Sequence, residues 1–128
     1  YEILIGLVGS EMCIRDSFVD GALREELYSN ACLFVLPSDL EGMPLCLLEA
    51  MSYGNCVITS DIEECTNVIH DNGISFRKSD MDDLAQKLTY ALSHPNTVRM
   101  FKWLAAEYVC TRFPWERIVE ETLDLYQK

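Results

Sequence analysis

Six consecutive apolar residues, Ala31-Cys-Leu-Phe-Val-Leu36, run into Pro37 and Ser38. An apolar run of that length, stopped by a residue that cannot donate to a β-ladder, reads as a parallel strand buried on both faces. A polar loop, Ser38 to Met43, follows, and then Pro44, which suits the first position of a helix because it lacks an N–H that would find no partner there. Gly54 can close that helix in the left-handed conformation, and Cys56 to Thr59 reads as a second short strand. Strand, loop, helix and strand within about thirty residues make a βαβ unit. The expected fold class is therefore α/β, a Rossmann-like parallel sheet flanked by helices, with its ligand loops at the carboxyl ends of the strands. Functional residues should cluster after Leu36 and after Thr59.

The other elements follow from spacing. Between Gly21 and Asn30, Leu23, Leu27 and Ala31 lie four apart with Arg24, Glu25 and Glu26 among them, the pattern of a short amphipathic helix that packs on one face. Ile62 to Ile69 includes a short helix, Asn72-Gly73 a turn, and Ile74 to Phe76 a brief strand. Ser79 is the expected N-cap of a helix with Met81, Leu84, Ala85, Leu88, Ala91 and Leu92 on one stripe, stopped by Pro95. A second long helix carries Val98, Phe101, Ala105, Tyr108 and Val109. After Phe113-Pro114, a last helix has Trp115, Ile118, Val119, Thr122 and Tyr126 on one side. Such stripes read as core faces rather than cofactor boxes.

The segment Leu7 to Ser17 resembles the in-frame translation of a sequencing adapter, so residues 1–17 are read as an artefact or disordered segment and residues 18–128 as one domain. The competing reading of the same stretch is a strand, Ile3 to Val8, followed by a polar turn.

Ten basic residues against 21 acidic ones give a net charge of -11, which repels nucleic-acid phosphates and anionic lipid surfaces. Nucleic acid is excluded as a partner. A small anion is not, because helix N-termini and backbone amides hold a phosphate locally whatever the net charge. No apolar stretch approaches the roughly 20 residues that span a bilayer. The six cysteines, Cys13, Cys32, Cys46, Cys56, Cys65 and Cys110, have no CxxC spacing and no His/Cys cluster. They read as buried thiols of a cytoplasmic protein with no metal site. His70 and His94 read as surface residues.

The informative stretch is Ser38-Asp-Leu-Glu41-Gly-Met-Pro-Leu-Cys-Leu-Leu-Glu49-Ala-Met, in which seven residues separate two carboxylates across a loop-to-helix junction. If Pro44 opens the helix, the amides of Leu45, Cys46 and Leu47 lack carbonyl partners and can hold a diphosphate. Glu49 interrupts an otherwise apolar helix, where a carboxylate is costly unless donors satisfy it, and a ribose cis-diol supplies two. Spacing alone leaves two other readings open: a Glu49 paired with an Arg or Lys, and a Glu41 that is a solvated loop residue.

Glu41-Gly-Met-Pro through Glu49-Ala-Met resembles the EX7E motif of glycosyltransferase family 4. The resemblance extends across Phe18 to Lys128 through Phe18-Val-Asp, Tyr28-Ser-Asn-Ala31, Phe34-Val-Leu-Pro-Ser38, Gly54, Thr59-Ser-Asp-Ile62, Asn72-Gly73 and Phe113-Pro-Trp-Glu116, in the same order. It implies the C-terminal, donor-binding half of a GT-B fold. Glu41 would then be the catalytic-site glutamate beside the donor hexose, and Glu49 the residue that binds the nucleotide ribose. Gly42, Met43, Pro44, Leu45 and Cys46 would line the sugar and diphosphate. The implied reaction is hexosyl transfer from a nucleotide-diphosphate sugar with retention, without cofactor or metal.

The resemblance also implies what this stretch does not supply. The family's basic pair belongs upstream of Phe18, and so does an N-terminal domain carrying the acceptor site. The fragment alone is expected to be inactive, and peripheral membrane association of the full-length enzyme stays open. In such folds the last helix commonly crosses to the N-terminal domain, so Trp115, Ile118 and Tyr126 are expected to be exposed here. The competing functions are a catalytically silent nucleotide-sugar-binding or regulatory module and a GT-B-type nucleotide-sugar epimerase. A dinucleotide-binding dehydrogenase is excluded by the lack of a GxGxxG run.

Overall fold

The computed structural model describes residues 21–127, so the adapter-like segment, the alternative strand Ile3 to Val8, Cys13 and Phe18-Val-Asp lie outside the described residues. Helices and strands alternate along the rest: α1 (Gly21–Asn30), β1 (Phe34–Leu36), α2 (Leu45–Ser52), β2 (Val57–Ser60), α3 (Glu63–Ile69), β3 (Ile74–Phe76), α4 (Met81–Ser93), α5 (Pro95–Arg112) and α6 (Trp115–Tyr126). The three strands form a parallel sheet in the order β1-β2-β3, with Phe34 opposite Val57 and Ile58 opposite Ile74.

The central strand organises two cores. All four residues of β2 are buried, and alternate side chains leave the sheet on opposite faces. Val57 joins Leu47, Ala50 and Met51 of α2, Cys65, Val68 and Ile69 of α3, and Ala105 and Val109 of α5. Ile58 joins Phe76, Ala91 of α4 and Val98 of α5. Helix α5 thus contributes to both cores.

Two glycines hold the connections. Gly54, at φ +72°, terminates α2: its N–H bonds the Met51 carbonyl at 2.9 Å and the Asn55 N–H bonds Ala50 at 3.1 Å, the paired bonds of a Schellman motif. Gly73 lies where a Cβ would come within 2.7 Å of Val57 Cγ2 and 3.3 Å of both Ile69 Cβ and the Val57 carbonyl. Val57 is fully buried and cannot retreat. Gly73→Ala is therefore expected to lower stability by about 1–3 kcal/mol, read as a fall in the midpoint of thermal unfolding.

Several expectations need correction. Strand β1 is only half-buried along its length, because it forms an edge of the sheet among the described residues. Leu23 and Leu27 of α1 are exposed; the helix instead presents Arg24 and Tyr28, one turn apart, toward α2. Asp80, not Ser79, caps α4: Ser79 adopts φ +59°, and the extended Asp80 accepts the Asp83 N–H at 2.9 Å. Met81 and Leu92 stand in solvent, whereas Ala91 is buried and Leu84 and Leu88 are partly so. Cys32 and Cys110 are exposed, and of the described cysteines only Cys56 and Cys65 are fully buried. Helix α6 buries none of its residues, so its stripe of Trp115, Ile118, Val119, Thr122 and Tyr126 is not a core face among the described residues, whereas the exposure of Trp115, Ile118 and Tyr126 is what the resemblance implied.

Candidate functional site

The carboxyl ends of the three strands converge, and polar bonds tie their loops together. The buried Ser60 hydroxyl, at the end of β2, donates to the Ser38 carbonyl after β1. Asp61 Oδ1 accepts the Lys78 N–H at 2.8 Å, and the Ser79 hydroxyl donates to Asp39 Oδ1 at 2.9 Å. The bonds to Ser38 and Asp39 hold the start of the loop that carries Glu41.

That loop enters α2 differently from the sequence expectation. Pro44 has φ -76° and ψ 77°, and Leu45 N–H bonds the Met43 carbonyl at 2.8 Å. This is an inverse γ-turn, with Pro44 as its centre and helix cap rather than its first helical residue. The Pro44 carbonyl accepts Leu47 N–H at 3.0 Å and Leu48 N–H at 3.3 Å. Of the three amides expected to be free, Leu45 and Leu47 are engaged. Among the described residues, the amides left without a backbone acceptor at this mouth are those of Gly42, Met43 and Cys46. A Cβ on Gly42 would meet nothing within 4 Å, so open space lies over the loop.

Cys46, in the first turn of α2, lies between Glu41 and Glu49 along the chain. Burial first, and then the Glu41 carboxylate, push the Cys46 thiol above its ordinary range, and Glu49 acts in the same direction. Glu41 is half-buried, and among the described residues it makes no hydrogen bond or ion pair. Glu49 is not the buried carboxylate that the apolar helix suggested; its side chain is 45% exposed. Its Oε2 accepts the Tyr28 hydroxyl at 3.4 Å, and its Oε1 lies 3.7 Å from Arg24 Nη1. The pairing with an arginine that spacing left open is thus present. An exposed carboxylate with two such partners keeps lone pairs free for further donors.

Met43, Leu45 and Glu49 also line a groove of about 680 Å³, closed on the other side by Cys110, Phe113 and Trp115. Glu41, Gly42 and Cys46 do not line this groove, and Pro44 is buried. Among the described residues no three His, Cys, Asp or Glu side chains gather as metal ligands, and no helix is long and apolar enough to cross a membrane. The sequence reading missed Arg24 and Tyr28. The need of Glu49 for donors was the available signal, but it did not say which residues supply them.

Burial pushes the Cys56 and Cys65 thiols up to about 11, Glu41 adding to the effect at Cys65. At pH 8 a thiol reagent is expected to modify Cys32 and Cys110 and to reach Cys56 and Cys65 only after unfolding, as read by peptide mass. The folded state holds these protons above the ordinary value of 9, so it binds more protons than the unfolded chain between pH 9 and about 11. The corresponding stability is complete below pH 9 and is lost as pH rises through that window.

Parallel strands covered on both faces by helices, with ligand loops at the strand carboxyl ends, define a Rossmann-like α/β domain. Residues 17–107 match the family of glycosyl transferases group 1, and the chain belongs to that family. It is 34% identical over 124 residues to the alpha-maltose-1-phosphate synthase of Mycobacterium tuberculosis, covering 90% of this chain and 32% of that protein. Over 69 residues it is 36% identical to the N,N'-diacetylbacillosaminyl-diphospho-undecaprenol alpha-1,3-N-acetylgalactosaminyltransferase of Campylobacter jejuni, covering 52% of this chain and 18% of that protein. The structure superposes on the sucrose-phosphate synthase of Thermosynechococcus elongatus with a TM-score of 0.79 at 29% identity, over 98% of this chain and 33% of that one. The fold is that of part of a GT-B glycosyltransferase. The chain spans about a third of the length of the relatives it matches.

Proposed function

We propose that this chain is the donor-binding half of a retaining, metal-independent glycosyltransferase of the family 4 type, which takes a hexosyl group from a nucleotide-diphosphate sugar. Glu49 holds the ribose diol. The free amides of Gly42, Met43 and Cys46 receive the diphosphate, and Glu41 faces the hexose at the transferring carbon. As the bond between the anomeric carbon and the diphosphate breaks, negative charge grows on the departing phosphate, and amides already aimed at that place stabilise it without reorganising. The open space over Gly42 supplies room for the sugar. What supports the reading is one arrangement: Glu41 lies in the loop before the Pro44 turn and Glu49 in α2 just after it, with the amides of Gly42, Met43 and Cys46, which have no backbone acceptor, between them along the chain.

The remaining length of the relatives would supply the acceptor site and the basic groups that neutralise the leaving diphosphate. Half a cleft excludes little water. The purified chain is expected to show no turnover with any nucleotide sugar and weak binding of nucleoside diphosphates that EDTA leaves unchanged. Glu49→Gln should weaken that binding about tenfold, the loss of a charge-assisted hydrogen bond. Turnover by the chain alone, or full affinity in Glu49→Gln, would contradict the proposal.

A further inference from the structure

Helix α1 is held against the site by side chains that the donor-binding reading does not use. Tyr28 stacks on Tyr53 at 5.5 Å between centroids and 17° between planes, and packs against Phe34 at 5.9 Å. Its carbonyl accepts the side-chain amide of the buried Asn55 at 2.8 Å, and that amide also bonds Ala50 at 3.0 Å, so α1 is bolted to the C-terminal end of α2. From this fixed base the Tyr28 hydroxyl reaches Glu49 Oε2, while Arg24, one turn earlier, reaches Oε1. Each oxygen of the carboxylate therefore has its own partner from α1. Burial first, and Glu49 second, push the Tyr28 hydroxyl above its ordinary range, which keeps it a donor.

We infer that Tyr28 and Arg24 are positioning residues that fix the Glu49 carboxylate in the orientation in which its remaining lone pairs meet the two hydroxyls of a ribose. The inference rests on the assignment of Glu49 to the ribose. A glutamate on an exposed helix face samples several rotamers, and choosing one before the ligand arrives removes an entropic cost from binding. The Tyr28 ring is rigid and already packed, so it sets the orientation; Arg24, on a long and half-exposed side chain, supports the charge of the second oxygen.

The test is a cycle between a protein hydroxyl and a ligand hydroxyl. Uridine, guanosine and adenosine diphosphates and their 2',3'-dideoxy counterparts are titrated into the chain, its Tyr28→Phe variant and its Glu49→Gln variant, with affinity read by ligand-observed NMR. Tyr28→Phe is expected to weaken the bound ribonucleotide about fivefold, the worth of one hydrogen bond, and to leave the dideoxy form unchanged. Equal weakening of both forms would show a structural role only and overturn the inference. If Glu49→Gln discriminates the two forms and Tyr28→Phe does not, Glu49 holds the ribose without help from Tyr28, and the inference alone fails. If neither variant discriminates, or no nucleotide binds, both readings fail together.

Discussion

Leu47→Ala is expected to remove a large part of the stability of this domain. Leu47 is fully buried in the first turn of α2, against Val57 and the helices beyond it, and truncation to alanine leaves a cavity as well as losing the transfer energy of the side chain. Such changes cost about 2–5 kcal/mol, against a total of about 5–15 kcal/mol for a typical domain. Its own amide and the one before it belong to the mouth of the helix: the Leu47 N–H bonds the Pro44 carbonyl, and the Cys46 N–H has no backbone acceptor. Loss of the Leu47 anchor should therefore also loosen the turn that presents the free amides. Chemical denaturation followed by circular dichroism would show the midpoint falling sharply, and an unchanged midpoint would mean that α2 is not seated as described.

Gly42→Val should do the opposite, sparing the fold and removing the ligand. Position 42 lies on an exposed loop, outside the left-handed backbone region, with nothing within 4 Å of the site a Cβ would take. Surface changes of that kind stay within about 0.5 kcal/mol of the parent. A branched side chain there would project into the space assigned to the donor and cover the neighbouring amides. A loss of nucleoside-diphosphate affinity of about tenfold or more, equivalent to about 1.4 kcal/mol, is expected at an unchanged unfolding midpoint. Undiminished affinity would place the ligand elsewhere on the molecule. Together the two substitutions separate the helix that carries the site from the loop that faces the ligand.

Much of the architecture was legible in local pattern. The Gly54 stop, the Asn72-Gly73 turn, the brief strand Ile74–Phe76 and the span of α1 were all written in short-range chemistry that the three-dimensional context does not override. Burial was less legible, because it depends on what lies next door. The run before Pro37 reads as a doubly covered strand, yet β1 lies at an edge of the sheet among the described residues and is half-exposed. The Leu23 and Leu27 stripe looked like the docking face of α1, but the aromatic cluster of Tyr28, Phe34 and Tyr53 decided the rotation of that helix instead.

The site was legible as a pair of glutamates around a helix start, and less so in its hydrogen bonds. Pro44 fits both a first helical position and the centre of an inverse γ-turn, since its fixed φ serves either, and only ψ separates them. The turn consumes the Leu45 amide and shifts the free donors back to Gly42 and Met43. The partners of Glu49 come from 21 and 25 residues earlier in the chain, a distance over which local spacing says nothing.

The most direct measurement is a residue-resolved amide NMR titration of the chain with nucleoside diphosphates at millimolar concentration. The account predicts saturable shifts led by the amides of Gly42, Met43 and Cys46, with Leu45 and Leu47 moving less because their hydrogens are already committed. Saturable shifts confined to another surface, such as the groove between Asn72, Tyr108 and Arg112, would contradict it, as would no shift at all.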